Sequence, residues 1–442
     1  MFSRARLGMA QRIYIRTPIV LSFITQLSSI IKTKLMKLAI VTAYPPSKVT
    51  LSEYAYHLVK HFRQKQSVTE IVLLTDKTEG KKDLNFTEAG CKITVNECWE
   101  FNSYLNIINI TKAINNTQPG AVLFNLQFMK FGEKKIPAAL GLLLPIVCKI
   151  KRIPNIVLLH NILEVVDLES AGFTSNKLLQ KVYEFIGTTL TRLILQSDIV
   201  VVTMQKYVAI LEIKYGAKNV ALIPHGTFEV SKEELDFSIT DRPLQIMTFG
   251  KFGTYKKVEH LIEAVEKVRK DTGLDLEIVI AGTDNPNVKG YLARVKETHK
   301  HVQQLRFTGY VEEHDVSALF KESAVVVFPY TSTTGSSGVL HQAGSYGKAI
   351  VMPDLGDLAL LVKDEGYQGE FFEPDSIESL AFAIEVLITN NEHRLTIAKA
   401  NYKAATAYPM EKITDMYMDK FYQISCKNML KKLRVSKAGP ID

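Results

Sequence analysis

Phe249-Gly250-Lys251-Phe252-Gly253-Thr254-Tyr255-Lys256 is the stretch on which the fold reading turns. It follows the apolar run Leu244 to Thr248 and precedes an amphipathic stretch beginning at Val258. Read together, these are a strand, a glycine-containing turn carrying two lysines, and a helix. Open α/β sheets bind ligands outside the carboxyl ends of their strands, where such turns lie. A lysine ammonium is a compact charge with three donors, suited to phosphate oxygens. The alternative is a pair of solvated surface lysines.

A second stretch changes that balance. Thr333-Thr334-Gly335-Ser336-Ser337-Gly338-Val339-Leu340 is a loop of small residues running into another helix. Gly335 and Gly338 permit backbone conformations closed to other residues. Ser336 and Ser337 can cap the helix that follows. Successive amides beside a helix N-terminus favour an anion. Lysines and an amide nest on one sheet point to a diphosphate, and so to a nucleotide-activated substrate.

Outward from these stretches the chain alternates strand and helix. Apolar, β-branched runs at 37–44, 70–76, 121–127, 155–161, 198–204 and 219–224 read as strands buried on both faces. Leu51–Phe62 and Asn176–Leu195 read as crossover helices between them. Thr227 to Pro243 is polar and acidic and reads as a linker. The alternation then resumes with strands at 244–249, 276–281, 305–311, 324–329 and 349–352. Helices are expected at Val258–Lys270, Asp315–Glu322 and Ser337–Ser345, and from Ile377 to Leu433. Ile136 to Ile150 is strongly apolar but short for a membrane span, and reads as one buried helix. The expected architecture is α/β, with two doubly wound, Rossmann-like domains facing a central cleft.

Composition narrows the function. The chain has 442 residues, 46% hydrophobic and 23% charged, as in a soluble globular protein of two or three domains. Four cysteines without metal-type spacing fit neither a zinc site nor a disulfide framework, and imply a reducing compartment. The net charge of +8 divides unevenly. Residues 1–230 hold 28 Lys/Arg against 16 Asp/Glu, and the remainder 26 against 30. The basic half suits an anionic acceptor or an anionic membrane surface, or is simply a solvated face. No basic run interleaves with aromatics, so no nucleic-acid partner is expected. No Gly-x-Gly-x-x-Gly follows the first strand, which argues against a dinucleotide oxidoreductase. Residues 1–35 carry six basic and no acidic residues and read as an extension before a domain beginning at Met36.

From about Lys37 to Tyr422 the chain resembles the retaining nucleotide-sugar glycosyltransferases of family four, which have the GT-B fold. The motifs that carry the resemblance are Gly250–Lys257 with Leu261 and Ala264, Phe307-Thr308-Gly309-Tyr310-Val311, Ser197–Val202, and Ile223-Pro224-His225-Gly226. The resemblance implies that 36–228 is an acceptor-side domain and 243–407 the donor domain, with 408–442 returning toward the first. It gives Lys251 and Lys256 to the donor diphosphate, with Gly250 and the Ser336, Ser337, Gly338 and Val339 loop around it. Tyr310 falls at the base pocket. Thr334 and Gln342 stand where the family carries two glutamates, for the transferred sugar and the ribose. Val49-Thr50 replaces a double glycine. His160, at the end of a strand, falls beside the transferred sugar. The implied reaction moves a hexose, with retention, from a nucleotide-diphosphate sugar to a hydroxyl of a glycan, lipid or polyol. The donor is a co-substrate, with no cofactor or metal required. Absence of an Asp-x-Asp motif agrees with that. Loss of both glutamates leaves open a transferase-like protein that only binds a nucleotide sugar or a partner. The expected setting is the cytoplasm, with contact at the inner membrane face as a further option.

Overall fold

The computed structural model describes residues 35–437 except 48, 50, 129, 133, 166–175, 231–234, 236, 238–242, 286–287 and 334. Thr334, the 1–34 extension and most of the 227–243 linker therefore lie outside the described residues. The chain forms two compact units. One comprises residues up to Val202, Val208–Ile223 and the chain from Thr414 on; the other comprises Thr203–Tyr207 and Pro224–Ile413.

The first unit is built on seven strands: β1 (Met36–Val41), β2 (Val68–Asp76), β3 (Lys92–Trp99), β4 (Ala121–Leu126), β5 (Asn155–Leu159), β6 (Ile199–Val202) and β7 (Val220–Leu222). Their order is β3-β2-β1-β4-β5-β6-β7, and every neighbouring pair is parallel. The order reverses between β1 and β4, whose register runs Leu38↔Ala121 to Val41↔Phe124. All six residues of β4 are buried, as a strand with helices on both faces requires. The closing helix Met410–Lys437 returns to this unit. Its Tyr417 ring packs on Phe62, Asp415 pairs with Lys65, and Tyr422 meets Ser67 through a 2.6 Å hydroxyl contact.

The second unit carries β8 (Leu244–Phe252), β9 (Leu276–Asp284), β10 (Leu305–Gly309), β11 (Ser323–Val327), β12 (Ala349–Pro353) and β13 (Glu370–Phe372). The order is β10-β9-β8-β11-β12-β13, again wholly parallel, with its reversal between β8 and β11. Helix Val258–Thr272 buries Val258, Leu261, Ile262, Ala264, Val265 and Val268 against Ile246, Ile278 and Val325. Those positions recur at helical spacing, which is what made the helix legible.

Three expectations change. The strand read as 244–249 continues to Phe252, because Gly250 and Gly282 face each other across the β8–β9 register. Their backbones pass so closely that a Cβ on Gly282 would stand 1.9 Å from the Gly250 carbonyl oxygen. Ladder pairing therefore persists through the glycine. Ile136 to Ile150 is two short helices, Lys135–Gly141 and Leu144–Ile150, with Pro145 in the first turn of the second. Proline lacks the N–H that a continuous helix needs there and suits a helix start instead. Strand β3 was not expected at all. It is an edge strand in which Ile93 and Val95 share one face and Lys92, Thr94 and Asn96 the other, so no continuous apolar run announces it.

Replacing Gly282 by alanine should force β8 and β9 apart, since backbone rather than a flexible side chain occupies the Cβ position and φ is +135°. We expect a loss of at least about 2 kcal/mol. A denaturation midpoint equal to that of the parent would contradict the close passage.

Candidate functional site

The second unit gathers most of the expected residues at one place on its sheet. The turns after β8 and β11 are zipped together, with Lys257 N donating to Pro329 O (2.8 Å) and Thr331 N to Tyr255 O (2.8 Å). Lys256 and Tyr330 thus form an antiparallel bridge at the point where strand order reverses. A ligand crevice is expected at such a switch point.

Lys256 is half-buried there. Its Nζ lies 4.6 Å from the Tyr330 ring centroid and 5.8 Å from that of Tyr255. The two rings meet edge to face at 5.7 Å. Among the described residues no carboxylate pairs with this ammonium. Burial pushes its pKa below the usual lysine value, so the cation is held at a cost that a bound anion would relieve. Gly250, with φ +140°, makes room: a Cβ there would stand 2.8 Å from Nζ.

Lys251 occupies a different situation. It is exposed on the last turn of β8 and alternates with the fully buried Phe252. The two lysines were expected as an equivalent pair around one turn, yet only Lys256 is desolvated and framed by aromatic rings.

The glycine-serine loop enters helix Gly338–Ser345 with Ser337 as its cap, the Oγ accepting from Leu340 N (3.3 Å). Among the described residues the amides of Ser336, Ser337, Gly338 and Val339 donate to no acceptor. They are the orphan donors of a helix start. Gly335 differs, because its amide donates to Asp357 Oδ2 (2.9 Å). Asp357 is 1% exposed. It also accepts from Lys206 Nζ (2.8 Å) and from the Tyr207 hydroxyl. Asp357 lies in the first turn of helix Gly356–Glu365, and Lys206 begins helix Gln205–Tyr215. The carboxylate therefore fixes the loop at Gly335 and leaves the next four amides unspent.

A histidine pair supports the same loop from beneath. His225 and His341 stack with centroids 5.0 Å apart and an interplanar angle of 2°. His341 reaches Ser336 Oγ through Nε2 (3.2 Å) and the Tyr367 hydroxyl through Nδ1 (2.8 Å). Both partners are hydroxyls, so neutral imidazole is satisfied in either tautomer. Burial holds His341 well below the ordinary histidine range and His225 down to about 4. Burial also raises nearby Glu365 to about 8, keeping a proton on its carboxyl at neutral pH. Two stacked imidazoles in a dry setting cannot both carry charge.

Gln342 is half-buried one turn into the same helix. Tyr310 stands just past β10 and is 73% exposed. Sequence reasoning missed Asp357, Lys206, Tyr207, Tyr330 and Tyr367 as neighbours of the loop. Asp357 had one local signal, a carboxylate directly after a glycine at the carboxyl end of a strand. The others had none.

In the first unit His160 immediately follows β5 and its Nε2 lies 2.7 Å from Asn125 Oδ1. Asn125 Nδ2 donates in turn to Thr42 Oγ1 (3.0 Å), which donates to the Ala43 carbonyl (2.9 Å). Since Oδ1 only accepts, His160 donates from Nε2. Tyr54 meets the imidazole edge to face at 4.7 Å. This chain crosses β1, β4 and β5, at the switch point of that sheet. Glu164 accepts from the Tyr215 hydroxyl and neighbours Lys214. Among the described residues no group of three or more His, Cys, Asp or Glu is arranged to hold a metal ion.

Comparison with known proteins agrees with this geometry. Residues 243–390, which hold Lys256, the glycine-serine loop and Asp357, match the family model described as glycosyl transferases group 1. No curated protein sequence matches the chain. Among solved structures, Anabaena Alr3699/HepE in complex with UDP is 15% identical at a TM-score of 0.60, covering 88% of this chain and all of that one. Sucrose-phosphate synthase of Thermosynechococcus elongatus is 13% identical at a TM-score of 0.65, covering 88% of this chain and 99% of that one. The lipopolysaccharide outer core galactosyltransferase WaaB, 12% identical, superposes with a TM-score of 0.56 over 88% of this chain and 99% of its own. The fold is that of the GT-B glycosyltransferases, with two parallel-sheet α/β units.

The histidine pair generates a pH prediction. In the unfolded chain His225 takes up its proton near pH 6.5, whereas in the fold it stays neutral down to about 4. Unfolded protein thus binds more protons between those values, and stability falls as pH drops through the window. His225→Gln should flatten the acid limb of the stability curve by up to about 3 kcal/mol between pH 6.5 and 4. Urea titrations at several pH values read this out; parallel curves for parent and variant would reject it.

Proposed function

We propose that this protein transfers a hexose from a nucleoside-diphosphate sugar to a hydroxyl of a glycan, lipid or polyol, with retention at the anomeric carbon. One observation carries the reading: the desolvated Lys256 ammonium, with no carboxylate partner among the described residues, at the switch point of a sheet whose neighbouring loop offers amides that no described residue accepts. Breaking a sugar–phosphate bond builds positive charge on the ring and negative charge on the leaving diphosphate. Groups fixed in advance where that charge appears lower the barrier most. Lys256 and the Ser336–Val339 amides are the groups so placed. Lys251, at the exposed end of β8, adds a second cation for the outer phosphate.

In this reading Gln342 holds the ribose through its amide, and Tyr310 stacks on the base from the end of β10. Thr334, standing where the resemblance puts a carboxylate, gives the sugar a neutral contact. Retention follows from the resemblance to family four, and the UDP complex of the Anabaena structure supports a nucleotide donor. His160 contributes the sugar contact from the first unit. Its ring orientation is fixed by Asn125 and Tyr54 rather than by a carboxylate, so it is suited to hydrogen bonding more than to strong general base work.

The experiment is a thermal-shift screen of UDP-, GDP- and ADP-sugars, since a ligand that binds only the native state raises its midpoint. The donor so found is then used in transfer assays. Lys256→Ala should lower turnover at least about 100-fold with an unchanged fold. Near-parent rates would sink the assignment of this lysine. Charge neutralisation by lysine and amides also implies that a chelator such as EDTA leaves transfer unchanged; loss of activity restored by a divalent ion would overturn that part of the reading.

A further inference from the structure

Helix Lys177–Ile194 in the first unit is arranged the wrong way round for a core helix. Its buried positions are Gly187, Thr191 and Ile194, and Gly187 sits so close to Leu163 that a Cβ would meet Leu163 Cδ1 at 2.8 Å. Its large apolar residues face outward. Leu178 is 73% exposed and Phe185 71%, with Leu179, Val182 and Ile186 exposed beside them. These five fall at i, i+1, i+4, i+7 and i+8, a single stripe on a helix.

Charge frames the stripe. Lys181, which is exposed, flanks one side by helical spacing. On the other, the Lys135 ammonium lies 3.9 Å from the Tyr183 ring centroid. Glu184, the one acid within the helix, falls on the opposite side of the helix from the stripe. Among the described residues no helix is long and apolar enough to cross a membrane. An exposed apolar face rimmed by lysines, in the half of the chain with the basic excess, matches a surface that is apolar inside and anionic outside.

We propose that the Leu178–Ile186 face docks on an anionic lipid bilayer, with its apolar stripe in the acyl boundary and Lys181 and Lys135 on the headgroups. This does not rest on the transferase reading, because binding is measured without turnover. The full chain is floated with vesicles of phosphatidylcholine alone and of phosphatidylcholine mixed with phosphatidylglycerol. Binding is expected to the mixed vesicles and to fall at high salt. Lys135→Ala with Lys181→Ala should weaken it roughly 25-fold, at about 1 kcal/mol per lysine. Phe185→Ser with Leu178→Ser should abolish it while the thermal midpoint stays that of the parent, since both side chains are exposed. Three outcomes overturn the proposal. One is equal binding by parent and serine variant. Another is a lowered midpoint in the serine variant together with unchanged flotation, which would mean that the chain's own residues cover the face. The third is concentration-dependent self-association, removed by the serine variant, in place of lipid binding.

Discussion

The desolvated Lys256 ammonium, with no carboxylate paired to it among the described residues, stands at the switch point of the second unit's sheet. Lys256 can lie where it does because the β8 and β9 backbones pass at Gly250 and Gly282 with no side chains between them. The turns after β8 and β11 are then cross-linked by backbone hydrogen bonds, and Tyr330 supplies an aromatic face for the cation. A ring quadrupole stabilises a cation only partly, so the site remains short of negative charge. That shortage is what a bound anion would relieve.

The glycine-serine loop shows the complementary economy. Its first amide is taken by Asp357, and its serine hydroxyl by His341, while the following amides stay open. A loop of small residues would otherwise sample many conformations. Anchoring it by a buried carboxylate at one end and a capped helix at the other preorganises the open donors. The stacked imidazoles beneath it stay neutral because burial and mutual proximity both oppose protonation. Positive charge at this end of the sheet is thus confined to the lysines.

The first unit repeats the topology with different chemistry. At its switch point stands a chain of neutral groups, Thr42, Asn125 and His160, with no unpaired cation among them. Such a chain fixes the direction of a hydrogen bond without building a strong field, which suits recognition of hydroxyl-bearing molecules. The same unit carries the helix whose large apolar residues face outward, on a different element from this chain.

The sequence alone settled the alternation of strand and helix, the two parallel sheets, and the turn and loop at 249–256 and 333–340, because each of these is written in short-range periodicity or in glycines at one place. His160 entered through the family resemblance, and its place at the end of an apolar strand agrees with a ligand crevice. The edge strand β3 escaped, since its apolar and polar residues alternate without a continuous apolar run, and so did the division of Ile136–Ile150 into two helices. Only the tertiary structure separated Lys256 from Lys251, because burial depends on what Tyr330 and Gly250 do, not on the spacing of the lysines. Only it joined Lys206 to Asp357, 151 residues apart, and stacked His225 on His341. Pairings of that range leave no trace in local pattern: they are set by which strand ends a sheet brings side by side.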